Sequence, residues 1–267
     1  MAGYDDTIES LAGAGNVTLS SDLTAGGDDS STAYSGIMSG TGSFSKSGSG
    51  TMTLSGANTY SGETTINADT LSVTGSIANS AATINDGGKL IGSGTVFNLT
   101  VADDGTFSPG LSPGTLNAGP TTWESGYTIN DAIGTKGDDP GWDWLDITGG
   151  LNITATSEPF EEFMLMLSTM GVDASNFDNS QDYSWVIATA STGITGFSAD
   201  KFNVEKFAFT NDLGGGSFGI EEVGNDINLT FTAVPEPSTY ALFGIGLLGL
   251  IGGWLKKQKH TKLQPMR

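Results

Sequence analysis

Short apolar-alternating runs open on Gly-Thr or Asp-Thr at near-constant intervals, and this spacing restricts the fold more tightly than anything else in the chain. Gly50-Thr51-Met52-Thr53-Leu54 is followed by Asp69-Thr70-Leu71-Ser72-Val73, Gly94-Thr95-Val96-Phe97 and Gly114-Thr115-Leu116. The starts lie 19, 25 and 20 residues apart, with an additional Gly105-Thr106-Phe107 between the last two. An interval of about 20 residues is the length of one solenoid turn. Each turn would carry β-prone runs separated by Gly, Asn, Asp and Ser, the residues that form corners. Stacking lets the backbone of one turn satisfy the next. Leu54, Ile66, Leu71, Val73, Ile84 and Leu90 then point inward. Asn58, Asn67, Asn85, Asn98 and Asn117 are expected at corners, because Asn tolerates the left-handed conformation. The expected fold class is all-β: a right-handed parallel β-helix over residues 1–156. A β-sandwich with irregular loops is the competing arrangement.

Composition agrees with many short strands and tight turns: 40 of 267 residues are Gly and 15% are charged. With no cysteine, the chain can form neither a disulfide nor a thiolate metal site. Charge is divided by position. Residues 1–233 hold 29 acidic residues against 5 Lys and no Arg, a net of −24. Beyond Leu255 come Lys256, Lys257, Lys259, Lys262 and Arg267 without an acid. Such a body repels nucleic acid and anionic lipid, so no nucleic-acid partner is expected.

Residues 238–255 contain no charge. As a helix rising ~1.5 Å per residue they would reach roughly 27 Å, just enough to cross a bilayer core. Gly244, Gly246, Gly249, Gly252 and Gly253 make the span marginal, and a buried core helix is the alternative. Lys256, Lys257 and Lys259 would orient the segment with its C-terminus in the cytoplasm and residues 1–237 outside. Pro235-Glu236-Pro237 is held extended by its prolines and cannot join the helix. The order VPEPST, apolar segment, Lys-Lys resembles the PEP-CTERM sorting signal, here covering residues 234–259. The resemblance implies that Pro235, Glu236 and Pro237 are recognised by an exosortase, a membrane-embedded protease or transpeptidase. It also implies an inner-membrane intermediate and then a place at the cell surface or outside the cell. A plain tail anchor that is never cut is the alternative. The opening MAGYDDTIESLAGAGNV has neither a basic n-region nor an apolar h-region, so an export signal is expected upstream of it.

A second resemblance lies in the body. KSGSGTMTLSGANTYSGETTI, Lys46 to Ile66, resembles the autotransporter-associated β-strand repeat, with Glu63 and Asp69 standing where Gly is usual. ADDGTFSPGLSPGTLNAG resembles a turn of secreted passenger domains, so the likeness covers residues 5–119.

Residues 157–233 read as a cap over the open end of the solenoid. Ser157 is placed to cap a short helix carrying Glu158 and Pro159 in its first turn, with Phe160, Phe163, Met164 and Leu167 on one face and Gly171 closing it. Strands are expected near residues 183–190, 203–210, 218–223 and 226–233, the last two joined by a Gly224-Asn225 turn.

Little in the chain suggests catalysis. The single His260 lies beyond the membrane span. Asp103-Asp104, Asp138-Asp139, Asp143-Asp146 and Glu161-Glu162 are the carboxylate pairs that a glycoside hydrolase would need. Asp138, Asp139, Asp143 and Asp146 are also weak calcium candidates, lacking a regular ligand repeat. Trp142 and Trp144 could stack on sugar rings or pack against an edge. The expectation is a non-enzymatic surface or extracellular-matrix protein, structural or adhesive, facing exopolysaccharide or other cells and using no cofactor. A carbohydrate-binding or carbohydrate-active β-helix is the alternative.

Overall fold

In the computed structural model, the described residues are 5–110, 114–125, 127–130, 142–159, 161–169, 174 and 177–234. They form a parallel β-solenoid. Short strands stack into a nine-stranded face running from Asp6–Ile8 to Ile194–Thr195 and an eight-stranded face running from Thr32–Tyr34 to Phe202–Ala208. A third, seven-stranded face begins at Ser76–Ile77 and is preceded by the pair Val17–Leu19 and Met38–Gly40. The strands are only two to eight residues long because a corner follows almost every third residue. The arrangement is stable because each parallel ladder passes its hydrogen bonds to the next turn rather than back along the chain.

Register defines the true repeat. Asp6, Leu23, Phe44, Thr64, Ala82, Leu99 and Thr121 stack in one column at steps of 17 to 22 residues. From Thr121 to Leu151 the step is 30, and from Leu151 to Ile194 it is 43. The Gly-Thr runs do not all share a column. Thr70, Lys89 and Thr106 align on the eight-stranded face, whereas Thr95 belongs to the seven-stranded face, opposite Asn117. The extra Gly105-Thr106 is therefore the genuine continuation of the first two runs, and the 25-residue step crosses between faces.

Alternation puts the expected residues inside. Leu54, Ile66, Leu71, Val73, Ile84 and Leu90 have no exposed surface. Corner chemistry differs from expectation: among the described residues the non-glycine residues in the left-handed region are Asp29, Asp69 and Asp104, not asparagines. Asn117 lies within the strand Thr115–Ala118. Asn58 is buried, its Oδ1 accepting from the Met38 N–H at 2.9 Å and its Nδ2 donating to Gly56 O at 3.1 Å.

The helix expected after Ser157 is instead the strand Phe163–Ser168. FMLMLS fits a face repeating every 3 to 4 residues and a face repeating every 2. Tertiary pairing decides: the segment lies in parallel register with Tyr127–Asn130 on one side and Phe202–Ala208 on the other. Phe163, Leu165 and Leu167 are buried and Met164 and Met166 half-buried, the two-residue pattern of a strand. Among the described residues the only helix is the 3₁₀ turn Ala199–Lys201, and no helix is long and apolar enough to cross a membrane. Residues 238–255 lie outside the described residues.

The far end of the seven-stranded face closes as expected. Tyr183–Ala190 runs parallel to Trp144–Ile147 but antiparallel to Asp226–Thr232, which pairs antiparallel with Ser217–Val223. The two-residue Gly224-Asn225 turn joins the last two strands, with Gly224 at φ 67°.

Candidate functional site

One corner that joins the nine-stranded to the eight-stranded face is built around Lys46. This residue ends the strand Phe44–Lys46 at an inward position, between Ala25 and Ile66 in its column. Its side chain is 1% exposed. The ammonium donates to the carbonyls of Ser47 at 2.9 Å, Gly48 at 2.8 Å and Ala68 at 3.4 Å, so it ties one corner to that of the following turn. Burial pushes this ammonium below the ordinary lysine value, and the carboxylates of Asp69 and Asp29 oppose the shift.

Asp69, where the resemblance to the repeat would place Gly, adopts φ 47°, the conformation glycine would supply. Its side chain turns that substitution to use: Oδ2 accepts from Gly50 N–H at 2.8 Å and Oδ1 from the Thr70 hydroxyl at 2.9 Å. Those hydrogen bonds, the Gly50 one first, hold the Asp69 carboxyl below its ordinary value. Glu63, the other departure, accepts from the Thr83 hydroxyl of the next turn at 2.7 Å. Nearby, Tyr60 and Ser80 flank Thr64 in a buried hydroxyl chain, at 2.6 Å and 2.7 Å, that ends on Gly62 O. Burial pushes the Tyr60 phenol up to about 12.

The adjacent carboxylates separate. Asp103, Glu124 and Glu161 border one hollow of about 270 Å³. Asp104, Glu162 and Glu205 border another of about 400 Å³, and Ser125 contributes to both. Thus Asp103 faces the same hollow as Glu161, and Asp104 the same hollow as Glu162, a cross-turn pairing invisible in a linear reading. Asp103 already accepts from the backbone N–H and hydroxyl of Ser125, and Glu161 from the Thr156 hydroxyl.

Asp143 and Asp146 point to opposite sides. Asp143 is fully buried and accepts from Gly114 N–H at 3.2 Å, whereas Asp146 is half-buried on the outer column between Asn117 and Thr189. Asp138 and Asp139 lie outside the described residues. Among the described residues no group of three or more His, Asp or Glu is placed to hold a metal ion. Trp142 donates its indole N–H to Val186 O at 2.6 Å and Trp144 to the Thr189 hydroxyl at 3.3 Å. Both rings are thereby fastened to the neighbouring strand, as in edge packing.

Pro235, Glu236 and Pro237, and Lys256, Lys257 and Lys259, lie outside the described residues. The last strand before them ends at Thr232. Residues 44–73, which span the Lys46 corner and more than one full turn, match the family model of the passenger-associated-transport-repeat. Residues 233–257 match the PEP-CTERM protein-sorting motif. The chain carries an autotransporter-associated repeat and a PEP-CTERM sorting motif. That motif implies processing by an exosortase, and proteins bearing it are exported and sorted to the cell surface. No curated protein matches the chain.

Lys46, the first residue of the repeat stretch, is a core residue that its charge disguises in the sequence. The signal was present: Phe44-Ser45-Lys46 keeps strict alternation, and the alternation assigns Lys46 to the inward side.

Proposed function

We propose that the protein is a non-enzymatic structural or adhesive element of the cell surface or extracellular matrix, a right-handed β-helical rod whose C-terminal signal is read by an exosortase. The observation that carries the reading is the junction. The sorting match begins at residue 233, one residue after the final strand ends at Thr232. A cut at the Pro235-Glu236-Pro237 motif would therefore leave every described strand of the solenoid and its closing hairpin in the released or anchored product. Residues 238–255 serve as the membrane segment during sorting, and Lys256, Lys257 and Lys259 hold its end in the cytoplasm. A structural role is supported by the engagement of the Asp103 and Glu161 carboxylates in local hydrogen bonds.

The test is the mass of the mature C-terminus in the native host. Wild-type protein should lack the segment after the motif. Pro235→Ala with Glu236→Ala should retain it and accumulate in the inner membrane. An identical C-terminal mass for both would overturn the exosortase reading.

A further inference from the structure

The outward residues at the centre of the nine-stranded face form one uninterrupted polar column. In register order they are Thr7, Thr24, Ser45, Thr65, Thr83, Thr100, Thr122, Asn152 and Thr195. Eight are hydroxyl residues and none is charged or apolar. The strand preference of Thr does not account for this uniformity, because Ile and Val share it. The eight-stranded face, built by the same stacking, mixes Thr53, the buried Ser72 and Ile91 in one column alternating with the core positions, and the buried Thr70 with Lys89 and Thr106 in another.

At its C-terminal half the column becomes the floor of a shallow groove of about 420 Å³, to which Thr100, Thr122, Asn152 and Thr195 contribute. No charged residue lines this groove, although the body carries 29 acids. The hydroxyls of Thr100 and Thr122 make no hydrogen bond among the described residues. The groove thus offers the Thr100 and Thr122 hydroxyls unpaired, at the ~4.8 Å spacing of neighbouring strands, whereas the Thr195 hydroxyl already donates to Asn152 Oδ1 at 3.1 Å.

We propose that this face binds a linear, uncharged polysaccharide lying along the solenoid axis, its hydroxyls bridging successive ladder positions in the groove from Thr100 to Thr195. The strand spacing is close to the rise per sugar of an extended β-linked glycan, so one register serves several consecutive residues. Charge selects the class: a body of net −24 repels anionic polymers, and the groove holds no cation to offset that. A second copy of the chain fits poorly, since the column lacks the apolar core of a stable protein interface and both copies are strongly negative. The inference deepens the surface-protein reading by naming a partner, but its geometry does not depend on sorting.

The full chain, in a detergent without sugar headgroups, would be run through affinity gels containing soluble neutral β-1,4-glucan, β-1,3-glucan or galactomannan, and through gels containing alginate or polygalacturonate. At least one neutral polymer should retard it and neither anionic one should. Thr100→Val with Thr122→Val keeps strand preference and shape while removing two hydroxyls, and should weaken retardation about tenfold. Thr53→Val, on the eight-stranded face, should leave it unchanged, and equal melting of all three proteins checks the fold. Lack of retardation by every neutral polymer, equal retardation of the double variant, or preference for the anionic gels would overturn the proposal. So would self-association that the double variant abolishes and glucan does not displace. Because binding is measured on unprocessed protein, a failure of exosortase processing would leave this result intact.

Discussion

Two ways of closing a turn divide the molecule near Trp123. Before it, turns of 17 to 22 residues close by backbone contact. A Cβ on Gly36 would lie 2.1 Å from Gly15 O, one on Gly56 2.0 Å from Gly36 O, and one on Gly75 2.2 Å from Gly56 O. Those corners admit no side chain, so their geometry is repeated from turn to turn. After Trp123 the turns lengthen to 30 and 43 residues, and aromatic rings fill the added space. Trp123 stacks on Phe163 at 4.7 Å, and Phe202 meets Phe163 edge-on at 5.9 Å. Beyond them Phe177, Tyr183, Phe209, Phe218 and Phe231 form a cluster at the closing hairpin. The first region is held by repetition, the second by a core of its own. A solenoid of interchangeable turns is therefore finished by a segment with no need to resemble them.

The largest effect should come from Phe231→Ala. The ring is 1% exposed and lies 4.8 Å from Phe177 and 5.1 Å from Phe218. Its loss should cost about 3–5 kcal/mol. If the two regions are distinct, thermal unfolding of the variant splits: aromatic near-UV signal is lost first and strand signal later. One sharp transition in both signals would mean that the regions unfold as a unit, and the division would fail.

Next in size, Gly56→Ala should cost about 1–3 kcal/mol, because the added methyl meets a backbone carbonyl that belongs to the turn beneath. Gly150→Ala, in the longer turns, meets nothing nearer than 3.5 Å and should fall within about 0.5 kcal/mol of wild type. Equal losses in urea unfolding would show that the tight corners are not what separates the regions.

Lys46→Met should cost about 2 kcal/mol, since the carbonyls of Ser47, Gly48 and Ala68 lose their shared donor in a buried corner. A neutral or stabilising result would mean that the cost of burying the ammonium cancels its hydrogen bonds.

The first region was legible because its signals are local. Inward Leu71 and Leu90 follow from alternation, and the turn length from spacing alone. What the spacing could not tell was which face each run joined, because Thr70 and Thr95 carry the same Gly-Thr or Asp-Thr signature on different sheets. The second region was legible only where its geometry was local, as at Gly224-Asn225. Phe163–Ser168 reads as a helix in the sequence because its type is decided by partners 37 and 39 residues away, Met164 opposite Tyr127 and Phe202 opposite Phe163. The hydroxyl column is invisible in the linear sequence for a related reason. Each Thr is unremarkable in its own strand, and the column exists only after register is known. The sorting motif, by contrast, was wholly legible, being a linear signal.

The smallest effect tests whether the tight corners also depend on charge. Asp69 holds a left-handed backbone in the repeat, and Asn tolerates the same conformation, so Asp69→Asn isolates the carboxylate. Hydrogen bonds from Gly50 and Thr70 hold the folded carboxyl below its unfolded value of 3.8. Stability from this source is present above that value and is lost as pH falls through the lower folded one. The side chain is exposed, so solvent screening limits the gain to about 0.5 kcal/mol. Urea midpoints should therefore favour wild type slightly at neutral pH, and the gap to Asp69→Asn should close as the folded carboxylate protonates. A gap that persists unchanged into strong acid would assign the contribution to the shape of the side chain, and the corner would then owe its order to backbone packing alone.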